Sequence, residues 1–147
     1  VARQSFATHA HSPAPPEQVF DVLADSTRWS EWAGPLIRKS SWEREGTAEP
    51  GGVGAIRRLG SSRIFSREEI VTYDRPNHLA YVLLSGQPVR EYRADVSMTP
   101  AGGGTDIRWE ATFLPRLPGT GRFVRWYLGL IVAGLARRLA ARAGRTL

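Results

Sequence analysis

Few side chains in this sequence are suited to chemistry. There is no cysteine, so there is no disulfide framework, thiolate zinc site or cysteine nucleophile. No Gly-x-Ser-x-Gly run occurs. Histidine appears three times. His9 and His11 lie two apart on one strand face, which is half of a metal site, but no cluster nearby completes it. No metal is expected, and no cofactor. His78 follows Asn77 and reads as a solvated turn residue. Gly102-Gly103-Gly104 joins two strands and precedes no helix, so it reads as a hairpin turn rather than a phosphate loop.

What remains is acid–base chemistry in a sheltered site, for which the candidates are Arg57, Arg67, Glu69, Tyr73, Tyr81 and Tyr92. On the strand near 63–73, Phe65, Arg67, Glu69, Val71 and Tyr73 share one face, which turns Arg67 and Glu69 inward if Phe65 and Tyr73 are inward. The opposite parity buries Ile64, Ile70 and Thr72, and a bulge would mix the two. The aromatic set is Trp32, Tyr81, Tyr92, Trp109, Phe113, Trp126 and Tyr127. Tyrosine and tryptophan carry a polar end that a buried ligand can use. Catalytic residues stay unassigned.

The elements that must position these residues follow from the periodicity. Residues 3–11 read as a strand. Ser12-Pro13-Ala14-Pro15-Pro16 ends it and opens a helix, since proline is tolerated in a first helical turn. Val19, Phe20 and Leu23 form the buried face of that helix. Asp25 or Ser26 caps a second short one carrying Trp29 and Trp32. Six strand-length runs follow, near 36–45, 53–59, 63–73, 79–85, 89–99 and 105–113, separated by turn signals and reading as an antiparallel meander. Tyr92, Ala94, Val96 and Met98 make one apolar face, as do Ile107, Trp109, Ala111 and Phe113.

From about Gly119 the chain reads as one long helix with an uncharged middle over 126–136. Val124, Leu128, Ile131, Leu135 and Leu139 form one stripe, and Phe123, Tyr127, Leu130 and Gly134 a neighbouring one. A helix apolar on more than one side must be covered on more than one side. A twisted sheet curls, and curled around a helix it leaves room for a cavity. Tyr127, Leu130, Ile131 and Gly134 are expected on the sheet or cavity side, with Gly134 leaving space. Leu128, Val132 and the flanking arginines are left to meet water, a second copy or a bilayer.

The formal net charge is +6. It is not evenly spread: from Pro115 onward there are Arg116, Arg122, Arg125, Arg137, Arg138, Arg142 and Arg145 and no acid, so the rest of the chain is close to neutral. These arginines are not interleaved with aromatics on a strand face, which disfavours nucleic acid. Arginines at the ends of an apolar helix suit peripheral membrane contact or a homodimer better. No stretch reaches the ~18 apolar residues of a spanning helix, and no signal-peptide pattern opens the sequence. One domain over 1–147 and a cytoplasmic location are expected.

Several runs together resemble a known pattern. Pro16-Glu17-Gln18-Val19-Phe20, Leu23-Ala24-Asp25, Trp29 and Trp32 look like the opening of the START/Bet v 1-like (SRPBCC) superfamily, in its bacterial polyketide cyclase/dehydrase-like branch. Gly54-Ala55-Ile56-Arg57, Arg75-Pro76 before Tyr81, Gly103-Gly104-Thr105 before Trp109, and Leu117-Pro118-Gly119-Thr120-Gly121 add to it. The resemblance runs from about 5 to 145. It implies an α+β helix-grip fold: a seven-stranded curved antiparallel sheet wrapped around a long C-terminal helix, with two short helices between strands 1 and 2. It also implies a cavity for a hydrophobic ligand. Members bind lipids, sterols or plant hormones, cyclise polyketides, or assist a chaperone.

The expected function is therefore binding of a lipid or polyketide-like molecule. The expected ligand-binding residues are Trp32, Arg57, Glu69, Tyr81, Tyr92, Trp109, Phe113, Tyr127 and Ile131. A cyclase, aromatase or dehydratase using a cavity Arg, Glu or Tyr is the alternative, and docking through the basic terminal helix is a third reading.

Overall fold

The computed structural model describes residues 2–145. Seven strands, β1 (Gln4–Ser12), β2 (Lys39–Arg44), β3 (Ile56–Gly60), β4 (Phe65–Asp74), β5 (His78–Ser85), β6 (Val89–Ala101) and β7 (Gly104–Pro115), form one sheet in the order β1-β7-β6-β5-β4-β3-β2. All neighbours are antiparallel. Between β1 and β2 come α1 (Pro16–Ala24) and a 3-10 helix (Ser26–Glu31). The long helix α2 spans Gly121–Arg145, and the last two residues of the helix read from the sequence lie outside the described residues. No helix among the described residues is long and apolar enough to cross a membrane.

Local chemistry explains several of these elements. Pro16 sits at the first helical position of α1, where a missing N–H costs nothing. The Trp29 indole N–H donates to the Leu23 carbonyl (2.8 Å), locking the 3-10 helix onto the end of α1. Gly102 and Gly103 both take positive φ in the β6–β7 turn, the conformation a two-residue hairpin requires. Tyr92, Ala94, Val96 and Met98 face Ile107, Trp109, Ala111 and Phe113 across this hairpin, and all are buried. The parity read from the sequence therefore holds here.

Helix α2 packs on β1, β7 and α1. Its C-terminal carbonyls are bound from the other end of the chain: the Ser12 hydroxyl donates to Ala140 O (2.8 Å) and the Gln18 amide to Ala143 O (2.7 Å). The sheet curls away from the helix over β3–β6, and a gap opens there.

The face of α2 differs in part from expectation: Tyr127 and Ile131 border the gap as expected, but Leu130 does not, and Leu128 and Val132 are inside. Val124, Leu128, Val132, Leu135 and Leu139 are buried, whereas Phe123, Trp126, Tyr127 and Leu130 are exposed. Leu128 and Val132 thus meet the sheet side, and Leu130 points to solvent. Gly134 leaves space not for the sheet but for the Arg138 side chain: a Cβ there would lie 2.8 Å from Arg138 Nη1.

Candidate functional site

Between β3–β6 and α2 lies a cavity of about 190 Å³. Leu59, Leu83, Leu128, Val132 and Leu135 supply apolar wall, and Trp29, Glu68, Tyr81 and Tyr92 line it with polar atoms at hand. Leu36, Ile64 and Tyr127 also line it and are themselves exposed, so they mark its open side. Gly86 lies on the lining too; its φ of +112° and a virtual Cβ 2.6 Å from Phe65 O leave no room for a side chain.

The polar feature at the cavity is an ion pair. Arg57 has no exposed surface. Its Nε–H donates to Glu68 Oε1 (2.8 Å), its Nη2 lies 2.8 Å from the same oxygen, and its Nη1 donates to the Ser26 hydroxyl (3.2 Å). The guanidinium carbon sits 4.2 Å from the Trp29 ring centre and 4.5 Å from that of Tyr81. Aromatic faces on the cation compensate part of its lost hydration. Arg57 and Glu68 are register partners of adjacent strands.

Glu68 faces the cavity. Both Arg57 nitrogens lie on Oε1, so Oε2 takes no hydrogen bond from the described residues. Burial pushes the Glu68 carboxyl above the usual carboxylate range, against the pull of Arg57. Beside it, the Tyr81 hydroxyl accepts from the Trp109 indole N–H (3.2 Å). Burial, and secondarily Glu68, raises the Tyr81 phenol; burial, and then Tyr81, raises Tyr92 well above the ordinary value. Both phenols stay protonated at neutral pH.

Residues 3–144 match the family described as polyketide cyclase/dehydrase and lipid transport. The chain belongs to that family. Uncharacterised proteins of Mycobacterium bovis and Mycobacterium tuberculosis are 30% identical to it over 110 residues, a match covering 73% of this chain and 62% of theirs. The chain therefore spans under two thirds of the length of these curated relatives. Among solved structures, a START superfamily protein from Mycobacterium smegmatis matches with a TM-score of 0.82 at 16% identity, over 97% of this chain and 99% of that one. Ara h 8.0201 matches at 0.78 and 18%, over 97% and 98% of the two chains. A Thermobifida fusca protein matches at 0.76 and 24%, over 96% and 93%. At these identities the likeness is one of fold, the helix-grip fold of the START/Bet v 1-like superfamily.

In this family member the residues singled out from the sequence fall into three groups. Tyr81, Tyr92, Tyr127 and Ile131 line the cavity. Arg57, Trp109 and Phe113 lie one layer behind it: Arg57 holds Glu68, Trp109 holds Tyr81, and Phe113 packs against Tyr92 at 6.2 Å between rings. Glu69 and Trp32 are elsewhere. Glu69 points out of the sheet toward Arg44 (3.9 Å), and Arg67 likewise pairs outside with Glu43 (2.6 Å). Ser66, Glu68 and Ile70 are the inward set of β4, and bulges at Arg67/Glu68 and Ile70/Thr72 return Tyr73 to the inside, edge-on to Phe20. Ile64, grouped with Ile70 in that second parity, is 79% exposed in the turn before β4. Trp32 lines a separate groove with Asp21, Asp25, Arg28 and Arg142. Its indole N–H is buried without an acceptor among the described residues.

Glu68 was missed although a signal for it existed. Taking the Gly60-Ser61-Ser62 turn as a hairpin that pairs Gly60 with Phe65 puts Arg57 opposite Glu68, two opposite charges face to face. The histidines also find partners: His11 bonds Asp106 (2.8 Å), His9 meets Arg108 (3.1 Å), and His78 bonds Asp95 (2.8 Å). His78 is thus a partly buried strand residue rather than a solvated turn residue.

Proposed function

We propose that this chain binds, and so sequesters or carries, a small hydrophobic molecule with one polar end in the cavity between β3–β6 and α2. The observation that carries this is a mostly apolar wall ending on one carboxylate oxygen that takes no hydrogen bond from the described residues. Apolar area supplies affinity, and the few polar groups set orientation. A ligand hydroxyl or enol donating to Glu68, with the Tyr92 phenol as a second contact, fits a lipid or polyketide-like class. The family description supports the same reading.

Native mass spectrometry and displacement of a fluorescent apolar probe, against a panel of fatty acids, sterols and phenolic polyketides, test it. Saturable one-to-one binding is expected, weaker for analogues that lack the hydroxyl. No binding across the panel would overturn it.

Glu68 also favours a second reading, acid–base catalysis. A carboxyl raised by burial is a better base than an ordinary one. It would take the proton from a carbon between two carbonyls. The resulting enolate carbon would bond to a second carbonyl carbon of the same substrate, and the proton would return to the new alkoxide. Glu68→Gln is expected to reduce turnover of a poly-β-ketone substrate by roughly 100-fold or more while the apolar probe still binds. Equal turnover in variant and parent would rule this out.

A further inference from the structure

Helix α2 carries an unpartnered apolar face beside the cavity. Phe123, Trp126, Tyr127 and Leu130 lie at helical spacing on its outside, with Phe123 65%, Trp126 61% and Leu130 57% exposed. The Phe123 and Trp126 rings pack on each other, 6.0 Å apart, in the open. Aromatic area of this kind on an otherwise well-packed chain marks a contact surface.

The face continues into a surface groove of about 250 Å³ lined by Leu36, Leu130, Gly134, Arg137 and Arg138 among others. Leu36, Ile37, Ile131 and Leu135 border both groove and cavity, so the two share a wall.

The charge around this face names the occupant. Arg122 and Arg125 flank the aromatics, and Arg137 and Arg138 stand at the groove. None of the four has a carboxylate partner among the described residues, although most arginines on the sheet do. Arg138 is held in place by two glycines: its guanidinium lies against Gly34 and Gly134, where a Cβ would come within 2.8 Å. An apolar helix face ringed by unpaired arginines complements an anionic lipid surface. The aromatics enter the acyl boundary, and the guanidiniums meet phosphate oxygens. A second copy of this chain would bring the same arginines face to face across a two-fold contact, so charge argues against it.

We infer that this face docks on an anionic phospholipid bilayer, placing the open side of the cavity at the membrane, where an apolar ligand can pass without crossing water. This goes beyond ligand binding, and its test uses no ligand.

The test is co-sedimentation of the protein with vesicles of phosphatidylcholine alone and with added phosphatidylglycerol, alongside Trp126 fluorescence. Binding is expected to the anionic vesicles only, with a blue shift that Trp126→Leu removes. Arg137→Gln with Arg138→Gln is expected to weaken it by about 30-fold, at roughly 1 kcal/mol per arginine near a charged surface. A matched pair on β7 and α2, Arg108→Gln and Arg142→Gln, is expected to change it little. Three outcomes would overturn the inference: no binding to anionic vesicles, equal binding by the Arg137/Arg138 variant, or a concentration-dependent dimer with no vesicle binding. Probe displacement in the absence of lipid reads the cavity separately, so failure of docking and failure of ligand binding are distinguishable.

Discussion

Arg57 is the residue on which the site turns. A guanidinium with no exposed surface needs compensation, and here Glu68, Ser26, Trp29 and Tyr81 supply it, although Nη2, 2.8 Å from Glu68 Oε1, makes no hydrogen bond among the described residues. Removing one member of a buried pair leaves the other charge stranded. Arg57→Ala is therefore expected to cost about 3–5 kcal/mol in urea unfolding, and Arg57→Met with Glu68→Leu much less. Glu68 also sets a pH dependence. As pH rises, the unfolded chain gives up this proton first, because burial raises the folded value. Between the two values the folded state holds more protons, so stability falls as pH rises through that window. Each unit of elevation is worth about 1.4 kcal/mol. Urea midpoints measured from the ordinary carboxylate range up to neutrality should fall more steeply in the parent than in Glu68→Gln.

At the scale of elements, α2 has two apolar stripes with opposite fates. Leu128 is buried against the sheet side and Leu130, two residues on, faces solvent. Leu128→Ala should cost about 2–4 kcal/mol, as a core truncation does. Leu130→Ala should stay within roughly 0.5 kcal/mol, as surface changes do. Equal effects in thermal or urea unfolding would refute this assignment of faces.

The same pair shows what was legible in the sequence. Both stripes have helical spacing, so the pattern named the helix and its need for cover, but the reading turned Leu130 inward and Leu128 and Val132 outward, the reverse of what the structure shows for these three. The ranking comes from the curl of the sheet, which turns Leu128 and Val132 toward the cavity, a tertiary fact. Strands β6 and β7 were legible in parity because their alternation is unbroken where they pair, from Arg93 to Ala101. Strand β4 was not, because its two bulges let Phe65 and Tyr73 suggest a parity that Glu68 and Ile70 do not follow. Arg57, Tyr81 and Tyr92 were found as types suited to a sheltered site, while Glu68 needed the β3–β4 register.

For the molecule as a whole, the cavity is what makes the fold and the proposed function one problem. A helix packed along its whole length on the sheet would bury more apolar area and be more stable. Here α2 grips β1 and β7 and stands off β3–β6, leaving about 190 Å³ unfilled. Val132 lies on α2 at that gap, buried and facing the lining. Val132→Phe should therefore fill part of the space. In a tight core such enlargement costs about 1–3 kcal/mol; in a true cavity the new ring gains contacts instead, so unfolding should be unchanged or later. The same variant should lose the apolar probe, because ring and ligand compete for one volume. The parent should gain about 2.7 kcal/mol from a ligand at a hundred times its Kd, and the variant nothing. Stability kept with binding lost would place the ligand in this cavity. Binding kept at full strength in a stable Val132→Phe would place it elsewhere, with the groove beside Arg137 and Arg138 the next volume to fill.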